Sequence, residues 1–188
     1  MSRSNFLDGL TRAGTGSAPE NPAPHAPFKI QNRIKLAVVG PDGVVKEETP
    51  WLHNIMTTFG LASLASRVGT ASGANVNTTT EFVSAMKIGT GTTAATSNDT
   101  SLVASTGSVT IGNASFTKTN LGNRTVEFTA TFASNNPAGA AVINEVGLYL
   151  NSTAESQLAA RTVLGTASVN KGASDTINVS YDTIFTTA

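Results

Sequence analysis

The alternation of apolar and polar positions divides most of this chain into short strands. Ile34, Leu36 and Val38 alternate with Arg33, Lys35 and Ala37, the two-residue period of a half-buried strand. Pro41-Asp42-Gly43 follows as a turn, proline presetting one backbone angle and glycine accepting the unusual one, and Val44 and Val45 open the return strand. The period then changes. Leu52, Ile55, Met56 and Phe59, and then Leu61, Leu64, Ala65 and Val68, recur at helical spacing and predict one helix within 51–68. The two sets fall out of phase at Gly60, so the helix is bent there or regular only in its second half. Thr49-Pro50 or Asn54 supplies its start, and Gly69 its stop.

Residues 70–80 are Ala, Ser, Gly, Asn and Thr with little to bury, which predicts a long loop. A strand over 81–89 carries Phe82, Val83, Met86 and Ile88. Residues 107–119 and 124–133 read as paired strands about a Leu121-Gly122-Asn123 turn, with Val126, Phe128, Ala130 and Phe132 on one face of the second. Asn135 to Gly139 is a turn. Residues 141–150 are apolar on both faces except at Asn144 and Glu145, which predicts a central strand. Residues 158–164 continue the sheet, Lys171-Gly172 turns, and Ile177, Val179, Tyr181, Thr183 and Phe185 alternate in the last strand. About eight strands with one helix predict a mainly β fold, an antiparallel β-sandwich.

Two stretches stand out. Met86 to Leu102 holds a short apolar run, a Gly-Thr-Gly bend, a polar crossing and an Asn-Asp-Thr-Ser-Leu return. Gly89 and Gly91 are expected to adopt backbone angles closed to other residues, and Asn98 and Asp99 to bond their own backbone and fix a second bend. The crossing is expected to be structural. In the second stretch, a hairpin loop over 151–155 would set Leu148 opposite Leu158, Gly147 opposite Ala159 and Ile143 opposite Val163. Glu145 then falls opposite Arg161, on a face otherwise lined by Ile143, Gly147, Ala159 and Val163, where each charge needs the other.

Residues 1–29 break the pattern. Gly14, Gly16, Pro19, Pro22, Pro24 and Pro27 exclude a regular element and favour an extended arm ahead of a single domain over 30–188. The apolar cluster Phe6, Leu7 and Leu10 near its start fits an arm that docks on a neighbouring subunit, as against a plain tail.

Composition narrows the chemistry. Of 188 residues 39% are apolar and only 13% charged, which fits a folded chain with a Thr-, Ser- and Asn-rich surface. Twelve basic side chains balance twelve acidic ones, and no basic run points to nucleic acid. The absence of cysteine excludes disulfides and thiolate metal sites. No apolar run is long enough for a membrane span, and the start lacks a signal core. Six Asn-x-Ser/Thr sequons, at Asn77, Asn98, Asn113, Asn123, Asn151 and Asn178, follow from the abundance of Ser and Thr. His25 and His53 make no credible metal pair. Gly89-Thr-Gly-Thr-Thr lacks the lysine of a phosphate loop. Asp99 and Glu145 are a remote candidate for the paired carboxylates of glycoside hydrolysis. The expectation is therefore no enzyme, no cofactor, no metal, no nucleic acid and no membrane.

Four stretches taken in order resemble a β-rich structural module of tailed-bacteriophage tail, tail-fibre and baseplate proteins. They are His53-Asn54-Ile55 leading into Gly60-Leu61-x-x-Leu64-Ala65; Ile88-Gly89-Thr90-Gly91-Thr92-Thr93 with Asn98-Asp99-Thr100-Ser101-Leu102; Ile143-Asn144-Glu145-Val146-Gly147-Leu148-Tyr149; and Ala160-Arg161-Thr162 with a closing strand ending in Ile184-Phe185. The resemblance covers roughly residues 51–188 and leaves the arm outside. It implies a non-enzymatic virion subunit of a tail, collar or baseplate, whose partners are copies of itself and other virion proteins. The alternatives are a receptor- or glycan-binding fibre module, with a host-surface receptor as partner, and a capsid-surface decoration protein.

Overall fold

The computed structural model describes residues 28–69, 83–110, 116–122, 124–150 and 157–187. Along them run strands β1 (Phe28–Val39), β2 (Val45–Glu48), β3 (Leu52–His53) and β4 (Ile55–Met56), then helix α1 (Thr58–Gly69). Next come β5 (Ala85–Gly89), β6 (Ser105–Thr110), β7 (Phe116–Asn120), β8 (Thr125–Phe132), β9 (Ala141–Ile143) and β10 (Glu145–Tyr149). The chain finishes with β11 (Leu158–Val163), β12 (Val169–Lys171) and β13 (Thr176–Thr187). The first sheet has the order β2-β1-β13-β8-β7, with β3 also beside β1; the second has the order β4-β11-β10-β5-β6; β9 and β12 form a small ribbon. Every pairing is antiparallel.

The fold is mainly β, and among the described residues α1 is the one α-helix, as expected. Ile34, Leu36 and Val38 of β1, Phe128, Ala130 and Phe132 of β8, and Ile177, Val179 and Tyr181 of β13 share one core with Met86, Ile88, Val146, Leu148 and Ala160 of the second sheet. The two sheets thus face each other across that core. The first hairpin turns at Gly43, whose φ of 80° is the left-handed conformation that glycine tolerates. Phe28 and Lys29 belong to β1 rather than to the arm. Phe6, Leu7 and Leu10 lie outside the described residues, as does the 70–80 loop.

The helix starts later than its periodicity predicts. Leu52–His53 and Ile55–Met56 are two short strands, one on each sheet, and the step between them at Asn54 imitates helical spacing. The cap is Thr57, not Thr49-Pro50 or Asn54. Its buried Oγ1 accepts from the Gly60 N–H at 3.0 Å and donates to the Leu158 carbonyl at 2.5 Å. A side chain at Gly60 would sit 2.2 Å from the Ala159 carbonyl oxygen, so glycine lets α1 lie directly on β11.

Two expected strands divide. The 107–119 run becomes β6, which pairs with β5 in the second sheet, and β7, which forms the expected hairpin with β8 in the first. The 141–150 run breaks at Asn144, whose N–H donates to the Gly89 carbonyl and whose Nδ2 donates to the Thr90 carbonyl. Beyond that corner β10 is central, between β11 and β5, as its two apolar faces require.

Candidate functional site

Strands β5 and β6 are antiparallel neighbours that a two-residue turn could join. The chain instead travels through residues 90–104 across the outer face of the second sheet. The excursion is closed at its base by the Thr90 N–H bonding the Ala104 carbonyl at 2.9 Å. Its far end reaches α1, where Ser97 O accepts the Thr58 N–H at 2.6 Å. On the way back Thr100 O accepts the Leu158 N–H, and the Leu102 N–H donates to the Tyr149 hydroxyl at 2.8 Å. Leu102 completes a small apolar cluster with Ala85, Tyr149 and Leu158. This cover is why β5 and β10 are buried on both faces.

Beneath the cover lies Arg161, 1% exposed. Its Nε donates to Glu145 Oε2 at 2.9 Å, Nη1 to Asp99 Oδ2 at 2.7 Å, and Nη2 to the Thr93 carbonyl at 2.9 Å. Glu145, wholly buried, receives three backbone N–H groups as well: Gly91 at 3.2 Å and Ala104 at 2.7 Å on Oε1, and Val103 at 3.1 Å on Oε2. One guanidinium between two carboxylates leaves one negative charge, and the three backbone donors stabilise it. The cation and its acceptors fix both arms of the crossing onto β10 and β11.

The expected Glu145–Arg161 pair therefore forms and is buried, but its register differs from the expected one. Arg161 lies opposite Gly147 and Glu145 opposite Val163; Leu148 faces Ala160, and Tyr149 faces Leu158. The pair is diagonal, two residues off. One residue of the offset is already present where the Leu150 N–H bonds the Gln157 carbonyl, and a bulge between Leu148 and Tyr149 adds the second. Residues 151–156, including the expected five-residue loop, lie outside the described residues. Ile143 and Ala159 are not on the face of the pair; both belong to the main core.

The role of the glycines also differs. Neither Gly89 nor Gly91 has a positive φ. A side chain at Gly89 would stand 2.4 Å from the Ala104 carbonyl oxygen, and one at Gly91 would stand 2.5 Å from Glu145 Oε1. They are glycines because the carboxylate and the return arm come so close. The second bend is held by Asp99 reaching back, with Oδ2 accepting the Thr96 N–H at 3.0 Å and Oδ1 the Thr96 hydroxyl at 2.8 Å. Asn98 is exposed in the turn. Burial pushes the Asp99 carboxyl upward, but the Thr96 backbone bond and Arg161 outweigh it and hold the group below the usual 3.8. Burial likewise opposes the Arg161 charge, and Asp99 and Glu145 more than restore it.

As candidate acid and base, Asp99 and Glu145 do come together, yet the same guanidinium sits on both, and both oxygens of Glu145 are bonded away from solvent. Lys171 is a buried charge the sequence pattern does not disclose. Its ammonium donates to the carbonyls of Ser134, Gly139 and Gly172 at 2.8, 3.0 and 3.2 Å, and burial lowers its pKa against the pull of Asp175. Asp175 pairs with Lys46 at 2.6 Å. His53 is exposed on β3, and His25 lies outside the described residues. Among the described residues no group of three His, Cys, Asp or Glu side chains is placed to hold a metal ion, and no helix is long and apolar enough to cross a membrane. Comparison with protein families, with curated proteins and with solved structures gives no match to this chain.

Proposed function

We propose that this chain is a non-enzymatic structural subunit of a tailed-bacteriophage particle, a component of its tail, collar or baseplate that works as a homo-oligomer in the virion. One observation carries the reading. Gly89, Gly91, Asp99, Glu145 and Arg161 come from three of the four stretches behind the phage resemblance, and they meet in one buried node that sets the shape of the crossing. In such a node the carboxylates of Asp99 and Glu145 and the guanidinium of Arg161 are all taken up by bonds to one another and to the backbone, which suits holding a shape. The outer strands β2, β7, β4 and β6 add edges through which copies of the chain and other particle proteins can pair.

The test is quantitative mass spectrometry of gradient-purified particles made from the genome that encodes the chain. Multiple copies per particle are expected. Recovery of the chain only in the soluble lysate would overturn the reading, as would a monomer at all concentrations that turns over a substrate.

A further inference from the structure

At one end of the sandwich the inward faces of β8 and β13 run past the cover of the second sheet. Val126, Phe128, Thr183 and Phe185 there face Met56 of β4 and Leu64 of α1 across a cavity of about 340 Å³, with Lys118 at its rim. That volume is at the low end for small-molecule pockets, which run from about 300 to 1,000 Å³, and suits a few apolar side chains. Leu61, one turn before Leu64, is 47% exposed and extends the apolar surface outward.

We propose that this groove receives the Phe6, Leu7 and Leu10 cluster of a second copy of the chain. The proposal deepens the assembly reading above and rests on it for the partner being another copy. The described chain begins at Phe28, opposite Thr187, and groove residue Phe185 lies opposite Ile30, so the arm leaves the domain at the groove's own rim. Twenty-seven residues precede Phe28, and the one apolar cluster among them is Phe6, Leu7 and Leu10. Prolines at 19, 22, 24 and 27 favour an extended backbone, and at about 3.1 Å per residue that stretch alone spans about 28 Å. A domain of this size has a radius of gyration of about 15 Å. A stretch of that length, rooted at the rim, gives the arm the reach to set its apolar cluster in a neighbour's groove.

The cysteine-free chain makes the test clean. Leu7→Cys and Lys118→Cys, in full-length chains with different tags, are co-expressed and oxidised. Lys118 is exposed, so its substitution leaves the core intact. A disulfide between the two differently tagged chains is expected, and Asp42→Cys, on the exposed turn far along β1, should give none in place of Lys118→Cys. Self-association followed by sedimentation should weaken on the order of ten- to a hundredfold with Phe6→Ser plus Leu10→Ser, and again with Leu64→Asp. The proposal is overturned by a mixed disulfide no more abundant than the Asp42→Cys control, by a Leu7→Cys/Lys118→Cys chain that links only within itself, or by unchanged self-association in both variants. A failed cross-link with the chain still abundant in particles refutes the groove alone. A specific cross-link with the chain absent from particles refutes the virion reading alone.

Discussion

Gly91→Ala separates the close-approach account of the crossing from one based on backbone freedom. The added carbon would lie 2.5 Å from Glu145 Oε1, 2.7 Å from Val103 Cβ and 2.8 Å from Glu145 Cδ. The carboxylate cannot step aside freely, because Arg161 and the N–H groups of Gly91, Val103 and Ala104 hold it. Relieving the overlap costs about 1–3 kcal/mol in overpacking. Stretching charge-assisted hydrogen bonds adds about 1.5–3 kcal/mol, for a total of about 2.5–6 kcal/mol. Gly43→Ala is the reference: its φ is 80° with nothing within 4 Å of the added carbon, so only backbone strain of about 1–2 kcal/mol applies. Urea unfolding of the two variants measures the difference. Adding Glu145→Asp, which shortens the acid, should recover part of the Gly91→Ala loss. A Gly91→Ala loss below about 1 kcal/mol, or one no greater than that of Gly43→Ala, would refute the close-approach account.

Other consequences follow from the same structure. Asp99 has a folded pKa depressed below 3.8, so its contribution to stability is present above pH 3.8 and is lost as pH falls from there through the lower folded value. Asp99→Asn should flatten the acid limb of stability in that window, and an unchanged limb would contradict the bond to Arg161. Burial raises the Tyr181 hydroxyl well above 10, so its share of stability falls as pH rises past 10; Tyr181→Phe should remove that part of the alkaline titration followed by tyrosinate absorbance. Thr57→Ala removes the cap of α1 and should cost about 2 kcal/mol in denaturant unfolding.

The strands with one buried face were legible from the sequence. The alternation in Ile34–Val38, Val126–Phe132 and Ile177–Tyr181 is the alternation of the core itself. The Glu145–Arg161 pair was legible for a related reason: opposite charges in two otherwise apolar strands have to meet. Its register was not, because neither the bulge between Leu148 and Tyr149 nor the pairing of Leu150 with Gln157 has a local signature in the sequence. The start of α1 was misread because Leu52, Ile55 and Met56 satisfy a helical period while belonging to two strands. Most of the node was out of reach. Asp99 is 62 positions from Arg161, and the backbone donors at Gly91, Val103 and Ala104 depend on the path of the crossing rather than on residue type. The glycines signalled a constraint at 89 and 91, though the constraint is a neighbouring carboxylate rather than a dihedral angle.

That the crossing is held by a buried ionic node is tested most directly by a double-mutant cycle on Glu145→Ala and Arg161→Ala, read as unfolding free energy. Arg161→Ala strands the buried Glu145 carboxylate, and Glu145→Ala leaves Arg161 only its bonds to Asp99 and the Thr93 carbonyl while three N–H groups lose their acceptor; each should cost about 3–5 kcal/mol. The double variant should fall short of the sum by roughly 2 kcal/mol or more, since the Glu145–Arg161 bond is counted in both single losses and can be lost only once. It should still lose about 2–3 kcal/mol, because the Gly91, Val103 and Ala104 N–H groups have lost their acceptor. Additive losses, or single losses below about 1 kcal/mol of the size seen for exposed pairs, would contradict the account.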